Sequence, residues 1–306
     1  MPARSRRQKR LAKKNGKPRR NKLYILLFVI LLIPLVFIFS TKYWNKHEKL
    51  SIAVARESGD VSVLVFDPIG KKIVSVLIPA DMQIKAARQF GSWKVKSLRE
   101  LGENEGIGGK LVAESVLYYF KFPVIVWADE PAIGFSRSGF FQISKAVFSP
   151  YQTNLGFGDR IRLGLFSLNM GNLDREDINI VDYFSVKKTR LIDGGEGYLL
   201  TGKLPNSLYA IFSDPQISKS QVSVKIINAS ERRELALSTG EALEVLGAKI
   251  AAVNNEDPID IDCEVSGQDK ALIKKISKLF DCDEYIKDIG SFDIQIKLGE
   301  EFAKRF

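Results

Sequence analysis

The sequence predicts a membrane-tethered protein of mixed α/β class: a single N-terminal transmembrane helix, an α/β layer, and a C-terminal α+β unit of β-α-β-β-α-β order. Three observations carry this expectation. Residues 23–39 run for seventeen positions without a charge. From residue 51 the apolar residues fall into short, strand-like runs separated by Pro and Gly. Beyond Pro215 such runs alternate with stretches whose apolar residues recur at helical spacing.

Residues 1–22 hold eleven Lys or Arg and no Asp or Glu, so of the net charge of +10 the remaining chain carries −1. High basicity is thus a property of a tail. It gives no ground for reading the folded part as a nucleic-acid binder, and no aromatic ring is interleaved among the tail's charges to stack on bases. The expected partner of the tail is anionic membrane lipid, worth about 1 kcal/mol per basic residue near the surface. Residues 23–41 reach about 28 Å as a helix, close to the hydrocarbon thickness of a bilayer. Tyr24 at one end and Tyr43 and Trp44 at the other stand where aromatic rings favour the interface, and a membrane helix tolerates Pro34. The Lys/Arg block fixes the N-terminal side as cytoplasmic and everything beyond as extracytoplasmic. STKYWNKHEK after the apolar run is bulky and charged, which favours an uncleaved anchor over a cleaved signal.

Residues 42–50 are read as a juxtamembrane linker. Strands are then expected at 51–55, 61–67 and 72–78, the last two joined through Pro68, Ile69 and Gly70. A helix at 111–120 and a buried strand at 122–127 come next. Residues 134–219 are less periodic, with a helix expected at 161–168 and a strand at 178–184. The glycines of 106–110 and 193–197 lack the spacing and context of a phosphate-binding loop and are read as turns. In the last part the pattern sharpens into a strand at 222–227, a helix at 231–246, strands at 248–253 and 260–265, a helix at 268–280 and a strand at 292–298. Both helices are expected on one face of the sheet. The domain reading is therefore 51–215 and 220–306.

Chemistry is narrowed by what the chain lacks. His47, just past the apolar run, is the only histidine, which removes Ser/His/Asp, Cys/His and His-ligated metal sites. Cys263 and Cys282 match no metal pattern, and whether they pair is open because spacing alone does not fix proximity. Asp260, Asp262 and Glu264 alternate along an expected strand and so share a face, which is read as wet strand surface rather than a Ca²⁺ site. No cofactor and no metal is expected.

Two stretches carry a family resemblance. VSVKIINAS at 222–230, a helix with Leu235 and Ala236, LGAKIAAVNN and the closing FDIQIKLGEEF resemble the LytR C-terminal domain, with Asn228 in its strand-end motif and Glu234 where that family usually has glycine. Upstream, Gly59 and Asp60, VSVLVFDP, KKIVSVLIPADMQI and the helix before FPVIVWAD are similar to the first half of the LytR-CpsA-Psr domain, here a divergent one. The resemblance implies a bacterial, membrane-anchored protein acting outside the cell, where that family moves glycopolymers from polyprenyl pyrophosphate onto peptidoglycan.

The motif residues that survive are Asp60, Pro79, Asp81 and Asn228, but Ala80 stands where the family's Ile-Pro-Arg-Asp motif has arginine. A methyl group neither donates a hydrogen bond nor offsets phosphate charge, and such contacts contribute orders of magnitude in rate. The Arg-x-Asp position is also incomplete, with Arg56 the nearest base. Lys94, Arg99, Arg160 and Arg162 are the remaining candidates for holding pyrophosphate or polymer. The expectation is a cell-membrane protein without a catalytic set, binding peptidoglycan, wall glycopolymer or another envelope protein. The alternative is a divergent phosphotransferase whose pyrophosphate is held by Lys94, Arg160 or Arg162.

Overall fold

The computed structural model describes Tyr24 and residues 41–306. The basic tail, and all of the expected span except Tyr24 and Thr41, lie outside the described residues. Among the described residues no helix is long and apolar enough to cross a membrane.

Strand alternation builds the first sheet. β1 (Leu50–Ala55), β2 (Val61–Asp67) and β3 (Lys72–Ile78) form an antiparallel meander with Ile52 opposite Leu64 and Val63 opposite Val76. Successive side chains point to opposite faces, so Ala53, Val63 and Val65 enter one core while Ile52, Leu64 and Phe66 enter another. With both faces covered, LSIAVA and VSVLVFD are almost wholly buried. β4 (Gln83–Lys85) and β5 (Ser92–Lys94) pair as a small hairpin, and α1 (Leu98–Asn104) and α2 (Lys110–Phe120) come after it. α2 is buried nearly all round: Val112, Val116 and Phe120 face the first core, Leu117 the core of the second sheet. β6 (Val126–Asp129) then pairs parallel to β1.

That ladder corrects the expected strand at 122–127. Phe122 and Val124 are buried in the core but unladdered, and Pro123 has no N–H to give. α3 (Phe140–Phe148) and α4 (Phe157–Leu168) cover the opposite face, and β7 (Arg175–Asn179) pairs parallel to β3 to give the order β6-β1-β2-β3-β7. The strand expected at 178–184 is displaced because the Asn179 side chain accepts the Val181 N–H and starts a 3-10 turn over Ile180–Asp182. β8 (Val186–Arg190) and β9 (Glu196–Leu200) form a hairpin around Asp193, Gly194 and Gly195, Gly194 lying at φ +81°. α5 (Asn206–Phe212) and α6 (Pro215–Ser220) lead to the second sheet.

There the chain runs β10 (Ser223–Asn228), α7 (Leu235–Leu246), β11 (Lys249–Asn255), β12 (Cys263–Gly267), α8 (Lys270–Phe280), β13 (Asp283–Ile286), β14 (Ile294–Leu298) and α9 (Glu300–Arg305). Sheet order is β11-β10-β14-β12-β13. Compared with the expected β-α-β-β-α-β order, β13 and α9 are additional. β13 is a fully exposed edge strand without apolar alternation, and α9 is six residues long, too short for a periodic signal. Both longer helices do lie on one face. A Cβ at Gly240 of α7 would meet Ile226, a Cβ at Gly267 would meet both Ile273 of α8 and Ile294, and register puts Ile226 and Ile294 on the same side. α7 starts at Leu235 rather than 231 because Asn228 brackets the preceding turn, donating to the Arg232 carbonyl and accepting from Ser230.

β12 starts at Cys263, so Asp260, Asp262 and Glu264 do not share a strand face. Asp262 instead takes the Arg305 guanidinium, both oxygens at 2.9 Å. Cys263 and Cys282 form a disulfide across α8.

Candidate functional site

β1 and β6 end side by side, Ala55 opposite Asp129, and the turn from β1 into β2 carries Arg56, Ser58, Gly59 and Asp60. The turn closes on itself, with the Arg56 N–H donating to the Asp60 carbonyl and the Gly59 N–H to that of Arg56, each at 2.9 Å. Gly59 sits at φ +85°, and a Cβ there would lie 2.7 Å from Lys96 Cβ. Only glycine lets the turn close so tightly against Lys96. Asp60 ties this turn to the segment leaving β3: Oδ1 accepts the Ala80 N–H at 2.8 Å and Oδ2 the Ser58 hydroxyl at 2.7 Å. Its carboxylate is committed to holding the backbone.

Beyond Pro79, the Asp81 and Ala80 carbonyls accept the N–H of Tyr198 and Lys96. The Lys96 ammonium lies 2.8 Å from Asp81 Oδ1, and that hydrogen bond holds the Asp81 carboxyl below its ordinary pKa. Lys94, two residues earlier, lies 2.8 Å from Asp193 and lowers that carboxyl in the same way. Arg99 lies over the Trp127 ring at 5.6 Å and donates to Asp129 and Gln152, each at 3.0 Å, and to Glu103. Glu130 accepts the Glu57 N–H at the same edge.

Lys94 is thus brought within electrostatic reach of Asp81, while Arg99 is held at the end of β6 by Asp129. Among the described residues Arg160 shares no partner with them. Arg160 donates to the carbonyls of Ala146 and Ser149 and stacks 4.2 Å from the Tyr151 ring, closing the end of α3. Arg162 lies 3.4 Å from the Thr41 hydroxyl. Asn228 is buried in its strand-end turn in the other sheet.

Lys96 escaped sequence reasoning as a member of this cluster, and Arg56 was read there only as the base nearest Asp60. Lys96 has its Cβ, like the Ala80 methyl, against Gly59, and its ammonium on Asp81, the next residue along from Ala80. Arg56 has a buried Nε without a hydrogen-bond partner, and among the described residues its guanidinium forms no ion pair. The alternation of Lys94 and Lys96 was visible in WKVK, but nothing in it signalled proximity to Ala80. Among the described residues no group of three His, Cys, Asp or Glu side chains is arranged to hold a metal ion.

No family model and no curated protein matches the chain. Solved structures do resemble it. TagT of Bacillus subtilis is 12% identical with a TM-score of 0.39, covering 52% of this chain and 87% of that one. TagV of the same organism is 11% identical with a TM-score of 0.38, covering 51% and 92%. A third, a LytR-CPS2A-psr family protein YwtF (TagT) with bound octaprenyl pyrophosphate lipid, is 12% identical with a TM-score of 0.37, covering 52% and 87%. Likeness at this level says nothing about chemistry.

Proposed function

We propose that this chain is a single-pass envelope protein, tail inside and folded part outside, in which a divergent LytR-CpsA-Psr-like domain and a LytR C-terminal-like domain bind rather than catalyse. Its partner on this reading is peptidoglycan, wall glycopolymer or another envelope protein. Topology rests on the apolar run at 23–39 and its basic flank. The non-catalytic assignment rests on one observation: Lys94, Lys96 and Arg99 are each neutralised by a carboxylate, from Asp193, Asp81 and Asp129, and Asp60 accepts the Ala80 N–H. A pyrophosphate would have to displace Asp81, Asp129 and Asp193 to reach those cations, leaving anions beside anions.

The test uses the full chain in nanodiscs. Co-sedimentation with peptidoglycan carrying wall glycopolymer is expected to exceed that of empty nanodiscs. Incubation with polyprenyl-pyrophosphate-linked glycopolymer and peptidoglycan is expected to release no free polyprenyl product. Absence of retention would overturn binding, and product release would overturn the non-catalytic assignment.

Arg56 and Lys96 favour a second reading, a phosphotransferase with relocated cations. Arg56 has an unpartnered Nε, and Lys96 brings charge to Asp81, the residue after Ala80. On that reading Arg56→Ala abolishes product release while leaving polymer retention intact.

A further inference from the structure

α3 and α4 leave an apolar face uncovered. On α4, Phe157, Leu165 and Leu168 succeed one another at helical spacing and are 46%, 49% and 45% exposed, while Leu163, Gly164 and Ser167 on the adjoining side are buried. Phe140, Phe141 and Phe148 of α3 are 73%, 78% and 69% exposed. The helices pack closely through Gly164, where a Cβ would come within 2.5 Å of Val147, and Phe148 lies 6.3 Å from Phe157 ring to ring. The Phe148–Phe157 contact joins the exposed side chains of the two helices, and an apolar surface of this kind marks a place where water is normally excluded.

The start of the described chain is fastened to the same helix. The N–H groups of Lys42, Tyr43 and Trp44 donate to the buried carboxylate of Asp159, on the first turn of α4, and Arg162 reaches the Thr41 hydroxyl. One residue separates Thr41 from the charge-free run at 23–39, and one residue extends at most about 3.6 Å. Charge agrees with a lipid occupant. Asp159 is the only acidic residue of the two helices and is 0% exposed, whereas Lys145 is exposed on α3, and Lys278 donates to the Lys42 carbonyl where the chain emerges.

We infer that the exposed face of α3 and α4 is a membrane-contact surface, its phenylalanines and leucines seated at the headgroup boundary of a bilayer containing anionic lipid. The inference rests on residues 23–41 spanning that bilayer, as the proposed function has it. A helix occupied in spanning cannot cover this face itself. Contact at the boundary fixes the orientation of the first sheet instead of leaving it to swing on a tether.

The experiment uses the full chain in phosphatidylglycerol/phosphatidylcholine vesicles. Phe141→Cys, Leu165→Cys and, as a control on α7, Leu237→Cys each carry an environment-sensitive fluorophore; the native cysteines are bonded to each other. Nitroxide placed on the lipid acyl chains is expected to quench the first two labels at least threefold more than the third. Equal quenching overturns the inference, and so does a blue-shifted but unquenched label, which would mean that a second copy or another part of the chain covers the face. Flotation of the same protein after alkaline extraction reports anchoring separately. Flotation without selective quenching removes this inference alone, whereas loss of flotation removes the anchor as well.

Discussion

Replacing Asp159 by asparagine tests how firmly α4 holds the segment at residues 42–44. The carboxylate is fully buried and accepts four backbone N–H groups: Oδ1 takes Trp44 at 3.1 Å and Tyr43 at 3.2 Å, and Oδ2 takes Lys42 and Gly156, each at 3.1 Å. Asparagine keeps one acceptor oxygen and turns an NH₂ toward the other two donors. Hydrogen bonds to a charged acceptor are worth about 1.5 kcal/mol or more each, so losing two implies about 3 kcal/mol of destabilisation. Trp44 magnifies the readout, because its buried ring packs edge-on to Phe166 at 5.3 Å and its indole N–H donates to the Glu48 carbonyl at 2.7 Å. Urea unfolding of the full chain in detergent, monitored by tryptophan emission, is expected to show a lower midpoint for Asp159→Asn and a red-shifted native spectrum as Trp44 loosens. A change below about 0.5 kcal/mol with an unchanged spectrum would refute the idea that this carboxylate fastens the linker to α4.

The disulfide, a buried lysine and the paired cations each give a further expected outcome. Replacing Cys263 and Cys282 together by serine opens a loop with a sequence separation of 19 and is expected to lower stability by about 3 kcal/mol in denaturant unfolding, the loop-entropy scale for such a closure. Burial depresses the Lys121 ammonium from its ordinary 10.5 to about 8, so between those values the unfolded chain binds a proton that the folded chain does not. Unfolding free energy should therefore gain from this group as pH rises from about 8 to 10.5, and Lys121→Met, measured across that range, should lose the rise. Asp81→Asn combined with Asp193→Asn frees Lys96 and Lys94 from their partners and is expected to tighten inorganic pyrophosphate binding, by calorimetry, roughly fivefold, the scale of exposed ion pairs. An unchanged affinity would show that these carboxylates do not guard the cations.

The first three strands were legible because each faces two cores and must be apolar along nearly its whole length. α8 was legible for the opposite reason, a half-buried helix whose buried Ile273, Ile276 and Leu279 alternate with lysines. β13 and α9 were not, being short and decided by neighbours: β13 exists because Glu264 to Gly267 of β12 offer it an edge. The cation on Asp81 was likewise invisible, since Lys96 lies fifteen positions along the chain and reaches the spot only because the hairpin of β4 and β5 folds back over Met82.

By itself the sequence determined the features that runs and periods carry: the charge-free segment with its basic flank, the apolar strands, the helical spacing near the C-terminus, and a methyl group in place of a guanidinium at position 80. These are local properties, set by the solvent or core that each stretch must meet. Only the tertiary structure decided that Lys94, Lys96 and Arg99 carry carboxylate partners, that Arg160 closes a helix end instead of joining them, and that the phenylalanines of α3 stand exposed. Ion pairing and exposure depend on which distant segments are packed together, and spacing along the chain does not encode that.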